Sequence, residues 1–257
     1  MIELRNVEIK DYIINANIDE FSNIGIFCDD INVIKDLSLY ISGINKSNID
    51  YLDNNIYDNN EYFKSRIFIN NNINYLNTLN ADKISSYFLN NYQKALDNNY
   101  FKELVKASKI RLNAKYKYYY EFDDNKKSLA NNILALSFLQ RRIIFQAFKN
   151  LDNEYIKNEY KKKKETIFLD DIKDINKYLD ILDYMLILYK GRIFYQDLNN
   201  DFLKVLKNED SNNIEIIKNL MYEDNKYYYV YNTENVKSIK KLKYETINIK
   251  KIGEKHE

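Results

Sequence analysis

Short apolar runs bounded by polar corners alternate with segments of helical spacing along most of this chain. Residues 2–9 and 12–20 alternate loosely between apolar and polar positions, which predicts two strands joined at Lys10-Asp11. Ile24–Cys28 is a short apolar run suited to a buried strand, and Ile31–Ser42 has helical spacing. Ile49–Tyr57 and Arg66–Ile69 predict strands around a polar turn. Ala81–Leu96, Tyr100–Ser108 and Asp124–Gln140 predict helices, the last with apolar Leu129, Ile133, Leu136 and Leu139. Ile143–Phe145 predicts a strand, Asn153–Lys164 a polar helix, Thr166–Leu169 a strand and Ile172–Leu182 a helix. Tyr184–Leu188 and Arg192–Tyr195 form a strand pair turned at Lys190-Gly191. Two short helices and a Tyr-rich strand (Lys226–Tyr231) complete the reading.

Strands alternating with helices after an antiparallel start predict an α/β fold, a mainly parallel sheet with an antiparallel edge sheet. Ile24–Cys28, Ile143–Phe145 and Thr166–Leu169 are expected as neighbouring central strands, since each is short, apolar and followed by helical spacing. There is no internal repeat. No linker divides the chain, but Asn70–Lys117 is mostly helical in spacing and predicts a helical subdomain, placed at about 71–140.

Composition narrows the chemistry. Of 257 residues, Lys and Arg number 39 and Asp and Glu 38, a formal charge of +1, so there is no global pull toward nucleic acid. The one cysteine, Cys28, excludes a disulfide framework and fits a reducing compartment. It has no histidine near it in sequence and follows a buried strand, so it is not read as a nucleophile. MIELRNVEIK lacks the apolar stretch of a signal peptide, and the run Ile181–Tyr189 is too short to span a bilayer, so direct membrane insertion is not expected. The absence of Pro and Trp beside 25 Tyr reads as codon bias of an A/T-rich, bacterial genome. Lys161–Lys164 and the Lys/Tyr cluster Tyr116–Tyr120 read as a solvated helix face and as packing rather than as nucleic-acid sites.

Only four glycines occur, and Gly25 and Gly43 frame IGIFCDDINVIKDLSLYISG, a strand, a polar corner and a helix. This is the setting of a phosphate-binding loop. Where G-x-x-x-x-G-K-[ST] would lie, the chain reads Cys28, Asp29, Asp30, Ile31, Asn32, Val33, Ile34, Lys35 and Asp36.

In order, these segments resemble the ATP-binding subunit of ABC transporters, over most of the chain to about residue 207. MIELRNVEIKDY resembles the family's opening strand, which places Tyr12 at the adenine-stacking position. RIFINNN lies where the Q-loop lies, with Asn70 or Asn71 for its glutamine. YEFDDNKK lies at the signature motif, RRIIFQAFKNLD resembles Walker B and the D-loop, and TIFLDDIKDI resembles the H-loop strand. DYMLILYKGRIFYQD resembles the closing hairpin, and Asn200–Leu206 resembles the helix that usually follows it. The resemblance implies a P-loop-type α/β fold over 1–207, a helical subdomain, and an extension of helices and strand over 208–257.

It also implies lost chemistry. A Walker A loop needs glycines for its nest of inward N–H groups, a Lys for the phosphates and a Ser/Thr for Mg²⁺. The matching positions here hold no glycine, Ile34 in place of the Lys, and Asp29, Asp30 and Asp36 as added negative charge. Walker B acids are replaced by Gln146 and Ala147. The signature region, Glu121–Asn125, has no glycine, and its Asp123 or Asp124 reads as a helix cap. The sole histidine, His256, lies in the charged tail, far from the H-loop. An alternative takes Asp170 and Asp171 as the Walker B pair, with Lys35 as cation. That alignment leaves too few residues before Asp183 for the D-loop, a helix and the H-loop strand.

The reading is therefore a non-hydrolysing ABC-type subunit with no metal site and no ATP or Mg²⁺. It would sit in the cytoplasm at the inner face of the membrane, partnered by a permease and a competent ATP-binding subunit. Ile73, Tyr75, Tyr87 and Phe88 would form the docking patch near Asn70, Asn71 and Ala81. The alternatives are a divergent active ATPase and a free-standing binding or immunity module.

Overall fold

A computed structural model describes residues 1–19, 21–70, 96–109, 123–139, 142–146, 151, 153–197, 202–207, 216, 219–231, 237 and 243–247. Strands β1 (Ile2–Ile9) and β2 (Tyr12–Ile18) form an antiparallel hairpin, and β3 (Ile24–Cys28) leads into helix α1 (Ile31–Ile41). Then come β4 (Ile49–Tyr51), β5 (Asn54–Asn55), the short helix α2 (Asn60–Lys64) and β6 (Arg66–Asn70). Helices α3 (Asn98–Ala107) and α4 (Asp124–Ser137) precede β7 (Arg142–Gln146), α5 (Glu154–Lys163) and β8 (Thr166–Asp171). A 3-10 helix (Ile172–Lys177) leads to β9 (Tyr184–Tyr189) and β10 (Arg192–Asp197). The described chain ends with β11 (Phe202–Leu206), β12 (Leu220–Glu223), β13 (Tyr227–Tyr231) and β14 (Tyr244–Ile247).

These strands make three sheets. The central one has the order β10-β9-β3-β8-β7-β6, parallel except for β10. The three expected central strands are neighbours in it. The N-terminal sheet is β2-β1-β4-β5 and the C-terminal one β12-β13-β11-β14, both antiparallel. The fold is the α/β class expected.

Side-chain alternation along β3 explains how the core divides. Ile24, Ile26 and Cys28 point to one face of the central sheet, where Val33, Ile34 and Leu37 of α1 and the N-terminal sheet cover them. Phe27 points to the other face, among Phe168, Tyr178 and the α4 residues Ile133 and Leu134. Gly25 is a glycine because a Cβ there would run into the Phe27 ring and lie only 2.6 Å from Leu182.

Three expectations need correction. Ile49–Tyr57 is two short strands, split by Leu52 and Asp53 at φ of 50° and 61°. Ile172–Leu182 holds only a 3-10 helix, capped by Asp171 and followed by turns. Asn200–Leu206 contains a strand where a helix was expected. The run Phe-Leu-Lys-Val-Leu is an alternation: Leu203 and Val205 bury with Val230 on one face, and Phe202 buries on the other. β11 lies inside the expected 1–207 unit yet pairs with β13 and β14 of the expected extension. Residues 81–95, among them Tyr87 and Phe88, lie outside the described residues, as do Ile73, Tyr75 and most of the two short C-terminal helices.

Candidate functional site

Only two residues, Asp29 and Asp30, separate β3 from α1. Asp30 is the N-cap: its carboxylate accepts from the Asn32 N–H at 2.8 Å, and its carbonyl from the Val33 N–H at 3.0 Å. The helix's first donors, which make a helix N-terminus an anion site, are thus used by the chain itself. Ile31, Asn32, Val33, Ile34, Lys35 and Asp36, expected across the phosphate loop, are all helical. Val33 and Ile34 are fully buried against the central sheet, while Lys35 and Asp36 face solvent. Lys10, at the β1–β2 turn, pairs with Asp30 and holds its carboxyl below the usual range.

Asp29 faces the other way. It accepts from the Tyr12 hydroxyl at 3.1 Å and from the Lys190 backbone N–H at 3.3 Å. The Gly191 N–H donates to the same Tyr12 oxygen at 3.4 Å. Lys190 and Gly191 both have positive φ, 48° and 72°, the primed-turn geometry that suits a two-residue hairpin. Tyr12 is 5% exposed and packs in the core beside α1, so its ring is not a free stacking platform. Burial pushes its phenol above the usual range and the neighbouring Cys28 thiol up to about 11, so both stay protonated.

Asp170 and Asp171 end β8, in register with Phe27 and Cys28 of β3. Asp170 is buried, and it accepts from the Tyr178 hydroxyl at 2.5 Å and the Asp171 N–H at 2.8 Å. Tyr178 packs against Phe27 and Phe168, so this carboxyl lies on the face of the sheet opposite α1. Burial raises its pKa to about 6 against the pull of those two hydrogen bonds. Asp171 caps the 3-10 helix through the Lys173 N–H at 3.0 Å. Among the described residues no group of three or more His, Cys, Asp or Glu could hold a metal ion.

No protein-family model matches the sequence, and no curated protein matches it. Solved structures do. A putative cobalt-transport ATP-binding protein, CbiO-2, superposes with a TM-score of 0.60 over 91% of this chain and 94% of its own, at 16% identity. A dimeric bacterial ABC-transporter cassette gives 0.58 over 76% and 98%, at 18% identity. CbiO1 from Clostridium perfringens, part of the ABC transporter complex CbiONQ, gives 0.55 over 76% and 87%, at 15% identity. The chain has the ABC ATP-binding cassette fold. At these identities the likeness carries architecture and leaves the chemistry to the residues.

Within the cassette fold, the remaining motif positions are mostly structural where they are described. Gln146 and Asn70 are the last residues of their strands, and Ala147, Asn71, Glu121, Phe122, Asp152 and His256 lie outside the described residues. Asp123 caps α4, accepting from the Lys126 N–H at 2.8 Å. In the basic run, Lys163 is turned inward and donates to the carbonyls of Leu136 and Phe138 at 3.3 Å and 2.8 Å, closing the C-terminus of α4. Burial lowers its pKa to about 8.

Two partners of this corner were not found in the sequence: Lys190, through its backbone, and Glu223. Glu223 accepts from Tyr189 at 3.0 Å, Lys190 at 2.7 Å and Lys207 at 2.5 Å. Burial would raise its pKa, but these donors hold it at about 2. The only available signal was the primed turn Lys190-Gly191. It locates a hairpin but says nothing of what its amides bind.

ATP with Mg²⁺, the ligand that the cassette fold implies, needs a nest of free backbone amides, a lysine and a metal ligand. The strand–helix corner offers two aspartates, capped amides and a buried isoleucine, and these do not fit a triphosphate.

Proposed function

We propose that this chain is a non-hydrolysing ABC-cassette subunit, a pseudo-ATPase that works by binding other proteins. The observation carrying this reading is the two-residue connection between β3 and α1, closed by Asp30. A phosphate set beside Asp29 would face a like charge, costing about 4 kcal/mol at about 4 Å and an effective dielectric of about 20. Its partners would be a membrane permease and a competent ATP-binding subunit, and its place the cytoplasmic face of the membrane. CbiO1's membership of the CbiONQ complex supports a permease partner. No described helix is long and apolar enough to cross a membrane, in keeping with peripheral attachment. We assign 1–207 to the cassette and 208–257 to an extension that shares a sheet with it through β11.

Calorimetric titration of the purified chain with ATP, with and without Mg²⁺, tests the reading. No saturable binding is expected below about 1 mM, the affinity equivalent to about −4 kcal/mol. Tighter, Mg²⁺-dependent binding with turnover lost in Asp170→Asn would establish a divergent ATPase instead. If ATP does not bind and no permease co-purifies from the native membrane, the chain is a free-standing module.

A further inference from the structure

The corner's hydrogen bonds cross all three sheets. Tyr12 opens β2 of the N-terminal sheet, and Asp29 follows β3 of the central sheet. Lys190 turns β9 into β10 at the central sheet's edge, and Glu223 ends β12 of the C-terminal sheet. Asp29 joins the first two sheets through the Tyr12 hydroxyl, and it holds the turn through the Lys190 amide. The ammonium of the same Lys190 reaches Glu223, which also takes Lys207 and the Tyr189 hydroxyl. Lys190 therefore stands between two carboxylates, one gripping its backbone and the other its side chain.

We infer that Tyr12, Asp29, Lys190 and Glu223 form an internal tie fixing the three sheets to one another across this corner. The two carboxylates do the work of a bound anion, gathering donors from separate elements, and the assembly is held without a ligand. This deepens the non-hydrolysing reading and rests on it: in a cassette that takes no nucleotide, the corner between the sheets is held by the chain's own carboxylates. Exposed ion pairs are weak singly. Here the geometry supplies a network in which each carboxylate accepts two or more bonds, and the donors come from elements far apart in sequence.

Amide hydrogen exchange on the full chain, read at Lys190 and Gly191, tests the tie. Asp29→Asn keeps the side chain's size and removes its charge, and Glu223→Gln does the same at the far end. Both amides should exchange about fivefold faster in Asp29→Asn, since Asp29 accepts through both oxygens and Asn offers a single, uncharged acceptor. Glu223→Gln should speed Lys190 about twofold, and the double variant should be no faster than Asp29→Asn alone. Asp36→Asn removes a neighbouring charge that is outside the tie and should leave both amides at the wild-type rate. Wild-type protection in either single variant of the tie, multiplicative effects in the double, or acceleration by Asp36→Asn overturns the inference. The calorimetric titration decides the non-hydrolysing reading separately. ATP binding would sink that reading while the exchange rates still report whether the tie exists.

Discussion

The two ends of α1 are closed by different means. At the C-terminus, the Gly43 N–H bonds the Tyr40 carbonyl at 2.9 Å and the Ile44 N–H bonds Leu39 at 3.0 Å, with Gly43 at φ +70°. This is a Schellman cap, in which glycine takes the left-handed position at no steric cost. At the N-terminus, Asp30 occupies the first amides with its carboxylate and carbonyl. Glycine stands at the end where the backbone takes the left-handed turn, and the end that Asp30 closes has none. The frame of a cassette is kept by burial, because Gly25, Ile34 and Leu37 are needed by the core whatever the chain binds. The N-terminal end carries no such demand, and aspartate holds its amides without cost to the fold.

The largest effect should come from placing at Ile34 the lysine that an ABC cassette's phosphate loop would carry there. In a working loop that position meets phosphate, but here it is fully buried between α1 and the central sheet. Ile34→Lys places an unpaired ammonium in the core. An uncompensated buried charge costs about 3–5 kcal/mol, enough to unfold many domains of this size. Urea denaturation should show that loss or a chain that no longer folds. A loss under about 1 kcal/mol would mean that position 34 opens to solvent, and the contrast between frame and N-terminal end would collapse.

Asp170 sharpens the contrast between buried and exposed carboxylates. Its pKa rises from the ordinary 3.8 to about 6, because burial disfavours its charge. The folded chain thus binds this proton more tightly than the unfolded chain. The stabilisation is full below about pH 4 and is lost as pH rises through 6. Asp170→Asn removes the titration, and its amide can still donate to the Tyr178 oxygen and accept from the Asp171 N–H. The variant should therefore gain up to about 2 kcal/mol relative to wild type on going from pH 4 to pH 7.5. Urea unfolding at both pH values measures the difference. Parallel pH profiles would show that Asp170 is not held in a desolvated site.

The sequence made the central sheet legible because its strands are short apolar runs between polar corners, and burial on both faces leaves them little choice. The α1 helix was equally plain from its spacing between Asp30 and Gly43. The C-terminal sheet was misread at Asn200–Leu206, where the resemblance placed the helix that usually follows the closing hairpin. Only pairing with β13 and β14, distant in sequence, makes the period of two decisive. At the corner, the missing glycines were visible, but the replacement was not. Tyr12 and Asp29 are 17 residues apart, and Lys190 lies 161 beyond Asp29, so their contacts belong to the tertiary fold alone. Tyr12 was placed at a stacking position by resemblance, and its burial is a consequence of the hairpin's packing on α1.

The smallest effect belongs to Lys35, one helical position beyond Ile34. About 100° of rotation separates them, and this takes the side chain from the core to solvent. Were the chain a divergent ATPase, Lys35 would be its phosphate cation. Its removal would then abolish a ligand-induced stabilisation. A site with a dissociation constant of about 1 mM, exposed to about 5 mM Mg-ATP, should add about 1 kcal/mol to the folded state. If the corner is closed as described, Lys35→Ala should change stability by less than about 0.5 kcal/mol, and Mg-ATP should move neither wild type nor variant. A nucleotide shift in wild type that disappears in Lys35→Ala would make the N-terminal end of α1 a nucleotide site. Matched unfolding curves with and without Mg-ATP leave Lys35 as one more solvated charge on a helix whose buried face does the holding.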